Sequence, residues 1–231
     1  KERGNIGRII DAVQSQDVEF DILVVDDNSP DGTADVVREK QTEYTGRVHL
    51  LEREKKNGLG TAYIAGFKYG LERGYRFIFE MDADFSHPPG DLIRLRAACD
   101  TGGGDLSVGS RYVKGGKVEN WPFLRIAMSY LASLYVRAVL WIPVADATAG
   151  FVCYRREVLE TIDLDEIEFV GYAFQIEMKY AALRHGFKLV EVPITFVDRK
   201  VGQSKMSMHI FTEAFLGVLK MRFRKKGWQR H

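Results

Sequence analysis

Apolar segments of two different periods alternate along this chain. Residues 20–26, 48–52, 75–81, 105–109, 152–154 and 189–197 have the apolar character of strands. Helix-like segments, among them 33–44 and 60–73, separate them. Strands that alternate with helices predict a largely parallel sheet that is covered by helices. In such sheets ligands bind beyond the carboxyl ends of the strands, so residues that follow strands directly are the first candidates for a site.

Acidic pairs stand at the ends of two of these strands. Asp26 and Asp27 close the first strand, and Asp82 and Asp84 follow the third, just before a Pro-Pro pair. Residues two apart on an extended chain point to the same side, so Asp82 and Asp84 can both face one hard cation and the diphosphate that it carries. An ordinary turn followed by a helix cap is the alternative for residues 26–32. Two such pairs in one sheet favour a site for a metal and a nucleotide.

The charge balance argues against a nucleic-acid partner. Lys and Arg together number 33 and Asp and Glu number 32, so the chain has no overall attraction for a polyanion. The most apolar stretch, residues 123–145, contains Arg125 and Arg137, which would be costly at the centre of a bilayer. We therefore do not expect this stretch to cross a membrane, although it could lie on one.

The length favours one domain. A chain of 231 residues fits a single α/β unit over residues 1–231. The sequence opens at Lys1–Ile6, already in a helix-like segment, whereas a doubly wound sheet normally starts with a strand. We therefore expect the first strand of this domain to be missing from the sequence.

An ordered set of short motifs covers nearly the whole chain. By these motifs the chain resembles the family 2 glycosyltransferases with the GT-A fold, and among them the polyprenol (dolichol) phosphate mannose synthases. The fold expected is a Rossmann-like α/β fold with a mostly parallel central sheet flanked by helices. The matching segments are Val24–Thr33, Asn57–Ala62, Met81–Pro89, Gly109–Tyr112, Gly150–Phe151, Gly171–Glu177, and Arg199 with Gly202–Lys205.

The resemblance implies a reaction, a cofactor and a nucleotide site. The reaction would transfer mannose from GDP-mannose to a polyprenyl (dolichyl) phosphate, with inversion at the anomeric carbon and help from Mg²⁺ or Mn²⁺. Asp27 is expected to contact the nucleobase, Asp82 the ribose, and Asp84 the metal. Ser86 stands where some relatives carry Gln, so it is a weaker candidate ligand, directly or through water. The nucleotide contacts implied are Asp26, Asp27, Asp82, Ala83 and Asp84.

Basic side chains would hold the phosphates. Arg111, Arg125 and Arg199 resemble the arginines that bind the donor diphosphate and the acceptor phosphate, and Lys205 would assist them as a point charge. Solvated surface charge is the alternative for Arg125. A phosphate acceptor is already an anion at neutral pH, so no catalytic base is required. The residues expected to act in catalysis are Asp84, Arg111 and Arg199.

Three further residues have weaker assignments. Asp146 and Glu177 are acids at the expected mouth of the site and could touch sugar hydroxyls; helix caps or surface ion pairs are the alternatives. His87 is expected to be structural because hard cations prefer oxygen ligands.

Two amphipathic segments, 117–142 and 206–226, could be ordinary core helices. A lipid substrate favours the membrane interface instead, since Trp, Tyr and Leu with basic residues suit an anionic surface. We expect peripheral attachment to the cytoplasmic face of a membrane, and a separate membrane subunit that anchors the enzyme is left open.

Two alternative functions remain open. One is an enzyme of the same fold that uses UDP-glucose or another nucleotide sugar, with a polyprenyl phosphate or a polysaccharide as acceptor. The other is an inactive nucleotide-binding or scaffolding subunit.

Overall fold

A computed structural model describes residues 2–198 and 208–224 of the chain, without the side chains of 208–214. The helices described are α1 (Arg3–Gln14), α2 (Thr33–Glu43), α3 (Leu59–Glu72), α4 (Asp91–Asp100), α5 (Phe123–Leu140), α6 (Arg156–Thr161), α7 (Ala173–Arg184) and α8 (Met208–Phe223). The strands are β1 (Ile22–Asp26), β2 (Val48–Glu52), β3 (Phe77–Glu80), β4 (Leu106–Ser110), β5 (Lys117–Glu119), β6 (Val152–Arg155), β7 (Leu189–Pro193) and β8 (Thr195–Val197).

The strands form three hydrogen-bonded groups. β1 pairs with β2, β5 pairs with β8, and four strands follow the order β3-β6-β4-β7. The pairs β1–β2, β4–β7 and β5–β8 are parallel, as expected, but β6 is antiparallel to both of its neighbours. The reason is the long excursion after β4, which stays at the carboxyl end of that strand and re-enters the sheet from there, with no crossover to the other end. The expected upstream strand stays a prediction.

The predicted strand at 189–197 is in fact two short strands. Ile194 lies between them, and its N–H donates to the carbonyl of Ser110 while its own carbonyl accepts from the N–H of Lys117. The chain thereby changes partner from β4 to β5. The sequence pattern missed this break because two strands in line keep the same alternation of side chains.

The helix α7 is buried almost entirely. Its residues 173–182 are all inaccessible to solvent or nearly so, including the polar side chains Gln175, Glu177 and Lys179. It belongs to the largest apolar cluster, which also contains residues of β4, β6, α3 and α5. A helix with no exposed face has no amphipathic pattern, so the sequence alone did not mark it as central.

The helix α5 is mostly exposed despite its apolar composition. Phe123 is 84% exposed and Leu124 is 70% exposed, and Trp141 just beyond the helix is 79% exposed. Trp141 ends the helix in a left-handed conformation with φ +56°, two residues before Pro143. Among the described residues, α5 is the one helix whose length and apolarity would allow it to cross a membrane, which is weak evidence for a span.

Candidate active site

The acidic loop after β3 is held in a single shape. Phe85 has φ +63°, a left-handed backbone that turns the chain back on itself between the two acids and the following helix. Ser86 is buried, and both its N–H, at 3.0 Å, and its hydroxyl donate to Oδ1 of Asp84. These bonds orient the Asp84 carboxylate, so Ser86 supports Asp84 in addition to being a candidate ligand itself.

His87 supports the same loop from below. Its Nδ1 accepts the N–H of Asp82 at 3.2 Å, and its ring stacks on Phe151 with centroids 4.9 Å apart. Burial lowers the pKa of His87, which keeps the imidazole neutral and Nδ1 able to accept. These contacts agree with the structural role expected of His87, which stays a prediction.

Asp82 is positioned by a partly buried tyrosine. The hydroxyl of Tyr63 on α3 lies 3.4 Å from Oδ1 of Asp82. Burial and then the nearby charge of Asp82 raise the pKa of Tyr63 well above its usual value, so the hydroxyl remains a donor. Sequence reasoning missed Tyr63, because it follows the matching segment Asn57–Ala62 and the sequence around it indicates only a helix.

The first acidic pair divides into two roles. Asp26 is buried, and its Oδ2 accepts the N–H of Ser29 at 2.9 Å, which is the turn that the alternative interpretation describes. Asp27 forms a bidentate ion pair with Arg53, with distances of 2.6 and 2.8 Å, and Arg53 also donates to the hydroxyl of Thr61 at 2.9 Å. Arg53 was missed, although the parallel register of β1 and β2 puts the residue after each strand side by side.

A cavity of about 480 Å³ lies beyond the carboxyl ends of β3 and β4. Asp82, Asp84, Ser86, Arg111 and Arg125 lie on its lining, whereas Asp26, Asp27 and Ala83 do not. The opposite wall is apolar and comes largely from α5 and α8. Its residues include Met128, Leu131, Ala132, Tyr135, Val136, Phe215 and Val218.

Arg111 is buried in an ion pair with Asp146. Its Nε lies 2.7 Å from Oδ2 and its Nη2 lies 2.6 Å from Oδ1 of that carboxylate, and Nη2 also donates to Thr148 at 3.0 Å. Asp146 has no exposed surface and lies behind Arg111, away from the cavity mouth. This placement does not support a direct contact between Asp146 and a sugar, because both oxygens are occupied by Arg111.

Arg125 carries unsatisfied hydrogen-bonding capacity at the cavity. Its guanidinium lies 3.9 Å above the ring of Trp121, and Nη1 donates to Asp198 at 3.0 Å. Within residues 2–198 and 208–224, the buried Nε of Arg125 and the buried Nε1 of Trp121 have no acceptor. Both residues line the cavity, and buried donors are nearly always satisfied in native proteins, so a bound ligand or water that reorients these side chains would relieve both.

Glu177 lies deep inside the protein. One carboxylate oxygen accepts the N–H groups of Glu168 and Phe169 at 3.0 and 2.9 Å, and the other accepts from Arg224 at 2.9 Å. Burial raises the pKa of Glu177, which these bonds partly offset. Its position does not support the expected contact with sugar hydroxyls; the side chain ties a loop to the end of α8.

Arg199 and Lys205 lie outside the described residues, so their expected roles stay predictions. In the part of the chain that is described, no three His, Cys, Asp or Glu residues come together as a ready-made metal cage. Asp84 and Ser86 are hard oxygen donors at the cavity, a chemistry that suits Mg²⁺ or Mn²⁺ when a diphosphate supplies further oxygens.

The comparisons with known proteins agree on a family. The family model described as glycosyl transferase family 2 matches residues 1–163. Polyprenol monophosphomannose synthase of Mycolicibacterium smegmatis is 49% identical over 94% of this chain and 82% of its own length. Undecaprenyl-phosphate mannosyltransferase of Micrococcus luteus is 51% identical over 92% of this chain and 85% of its own. Dolichol-phosphate mannosyltransferase of Pyrococcus furiosus is 39% identical over 89% and 56%.

Solved structures show the same fold. Crystal structures of glucosyl-3-phosphoglycerate synthase from Mycobacterium tuberculosis superpose with a TM-score of 0.66 at 16% identity, over 96% of this chain and 76% of that one. That crystal holds Mn²⁺, UDP-glucose and glycerol 3-phosphate, and another crystal of the same enzyme holds Mg²⁺ and UDP. At this identity the likeness establishes the fold alone.

Proposed function

Because the chain belongs to glycosyl transferase family 2 and has the GT-A fold, we propose that it transfers mannose from GDP-mannose to the phosphate of a membrane polyprenol. The activities for which three relatives are named support a mannosyl group and a polyprenol phosphate acceptor. The motif resemblance supports GDP-mannose as the donor.

The observation that carries this proposal is the composition of the cavity. Its lining combines Asp82 and Asp84 and the cations Arg111 and Arg125 with the apolar side chains of α5 and α8. A soluble sugar acceptor needs no such wall, whereas a lipid phosphate has a charged head and an apolar chain that match both parts. The cavity therefore favours an amphipathic acceptor.

The acceptor phosphate would attack without a base. One of its oxygens forms the bond to the anomeric carbon of mannose, while the bond from that carbon to the diphosphate of the donor breaks and its electron pair stays on the diphosphate. A single displacement of this kind inverts the anomeric centre. Arg111 and Arg125 would hold the phosphates in line by charge-assisted hydrogen bonds, and Arg199 and Lys205 would add to this positive field.

Asp84, oriented by Ser86, would hold Mg²⁺ or Mn²⁺. When bound, such a cation neutralises the charge that builds up on the departing diphosphate.

Asp27 and Asp82 would bind the nucleotide. Asp27, whose carboxylate Arg53 holds in place, would contact the nucleobase, and Tyr63 would orient Asp82 toward the ribose. Asp26 contributes the turn that presents Asp27, and Ala83 contributes backbone beside the sugar.

The exposed apolar residues of α5 support peripheral attachment to the cytoplasmic face of a membrane. Phe123 and Leu124 are largely exposed and directly precede Arg125, which lines the cavity, so a membrane surface that contacts them would bring the lipid phosphate close to the site. A separate anchoring subunit could strengthen this attachment. We expect Leu124→Glu to reduce sedimentation with anionic vesicles at low salt, whereas Thr45→Glu, the same added charge on the far α2–β2 connection, should not. Equal sedimentation of both variants would argue against this surface.

The decisive experiment follows labelled mannose from GDP-mannose into a short polyprenyl phosphate, with Mg²⁺, Mn²⁺ or EDTA. Metal-dependent labelling of the lipid is expected. Labelling from UDP-glucose in place of GDP-mannose would overturn the donor, and labelling of a polysaccharide primer alone would overturn the acceptor. Nucleotide binding without turnover of any of these would point to an inactive subunit.

A further inference from the structure

A buried network of polar side chains lies beneath the cavity and takes no part in the proposed chemistry. It consists of Glu80 at the end of β3 and of Gln175 and Lys179 on α7, all of which are essentially inaccessible to solvent. Gln175 Nε2 donates to Glu80 at 2.5 Å. Lys179 Nζ donates to the carbonyl oxygens of Ala149 at 2.6 Å and Gln175 at 3.1 Å.

Burying these charged groups reduces the stability of the folded state. Desolvation lowers the pKa of Lys179 to about 8 and raises the pKa of Glu80 to about 7. Both shifts arise because the protein interior solvates a charge less well than water does. A well-packed apolar side chain at position 179 would often be as stable as a buried charged side chain or more so. The contacts of Lys179 are therefore better explained by the backbone segment that they hold in place than by a contribution to the free energy of unfolding.

The contact with Ala149 reaches the cavity. Ala149 lies between Asp146 and Gly150, a segment that includes Thr148. Asp146 and Thr148 together accept every described hydrogen bond from the Arg111 side chain. Ala149 itself lines the cavity, and its N–H lies 3.4 Å from the carbonyl of Asp146. A shift of this segment would therefore move the partners of Arg111.

The other end of the network reaches the acidic loop. Glu80 is the last residue of β3, two positions before Asp82. The side chain of Gln175 donates to Glu80, and the backbone carbonyl of Gln175 accepts from Lys179 one turn further along α7. The network thus spans the two structures that carry opposite charges in the cavity. The charged groups that act on Lys179 from its surroundings are Glu80, Asp146, Arg111 and Glu191.

We propose that Lys179 is a positioning residue whose ammonium group, through the carbonyl of Ala149, holds residues 146–150 where Asp146 and Thr148 can orient Arg111 toward the substrate phosphate. This inference rests on the proposed function in one respect, namely that Arg111 binds a phosphate of the substrates.

The test uses Glu80→Gln as the parent enzyme. This change removes the buried carboxylate charge but keeps an oxygen for Gln175, so adding Lys179→Met leaves no unpaired charge in the core. We expect Lys179→Met in this parent to lower kcat/KM for the lipid phosphate by about tenfold or more, while the affinity for the donor nucleotide changes by less than about twofold. If the Met variant does not fold, Lys179→Gln keeps a polar group for Gln175, cannot reach Ala149 equally well, and gives the same comparison.

A double-mutant cycle separates positioning from general loss of structure. In a parent that also carries Arg111→Met with Asp146→Asn, which removes both charges of the buried pair, adding Lys179→Met should cost less than about a further twofold, because the residue through which it acts is gone. Multiplicative losses would overturn the proposal.

Hydrogen exchange provides a readout that needs no substrate. Lys179→Met should accelerate exchange of the amides at 146–150 and leave those of β1 unchanged. If GDP-mannose is not used, the kinetic cycle is run with the nucleotide sugar that supports turnover, and failure of the proposed donor is then seen in the parent alone. Unchanged exchange at 146–150 would overturn the role of Lys179 whatever the substrate proves to be.

Discussion

The interpretation of Asp146 makes the sharpest stability prediction. Its carboxylate is completely buried and the Arg111 side chain is 8% exposed, so almost no water can replace either partner. In Asp146→Asn the shape is retained, but the amide nitrogen must face a guanidinium donor and the charge is lost. One of two charge-assisted hydrogen bonds, 2.6 and 2.7 Å long, becomes a donor-to-donor contact.

The magnitude follows from the burial of the pair. Removing one partner of a buried ion pair costs about 3–5 kcal/mol of unfolding free energy, because it leaves an uncompensated charge. For a domain of this size each kcal/mol shifts the melting temperature by about 2–4 °C, so we expect a decrease of roughly 6–20 °C. Activity should also fall, since Arg111 loses the carboxylate that orients it.

The assay is thermal unfolding followed by circular dichroism, with Asp35→Asn as the matched control. Asp35 is paired with Arg38 at 2.7 Å, but its side chain is 75% exposed, so the same substitution should cost less than about 1 kcal/mol. If Asp146→Asn melts together with this control while transfer activity is lost, the carboxylate acts on the substrate directly and the positioning argument is wrong.

Three further changes test other parts of the site. Asp84→Asn should lower the transfer rate by about a thousandfold without a large change in melting temperature, because it removes the main metal ligand proposed; a metal-dependent rate near that of the wild type would contradict the assignment. Gly60→Ala should destabilise the protein by about 1–3 kcal/mol in denaturant titrations, since the new Cβ would lie 2.7 Å from the ring of Phe174, and a neutral effect would mean that this contact relaxes freely. Burial raises the pKa of Glu80 from 4.5 to about 7. Between these two pH values the folded state keeps a proton on Glu80 that the unfolded state releases, so the free energy of unfolding falls as the pH rises. Glu80→Gln lacks this term, and its melting temperature relative to the wild type should rise between about pH 5 and about pH 7.5; a constant difference would show that Glu80 does not titrate there.

Much of the fold could be predicted from local patterns. The strands at 22–26 and 48–52 and the helices around 33–43 and 59–72 lie within two residues of the predicted bounds. Their periodicity is a property of neighbouring residues and does not depend on what packs around them. The antiparallel direction of β6, the separation of β8 from β7 and the short strand β5 were not predicted, because strand direction and partner depend on where the chain returns to the sheet.

The candidate site divides along the same line. Asp82 and Asp84 were found because a motif directly after a strand is a local signal, and they do meet Arg111 and Arg125 in one cavity. Tyr63 carries no local signal, since its role depends on a residue 19 positions away.

The sequence by itself determined the family, the order of the elements and the positions of the acids at the strand ends, because all of these depend on residues close together in the chain. Only the tertiary structure decided which charges are buried. Asp146 pairs with Arg111, 35 positions away in the chain, and Glu177 pairs with Arg224, 47 positions away. Both acids are buried by these contacts and do not line the cavity. The free energy of a charge depends on the water and the partners around it, and folding alone brings those together.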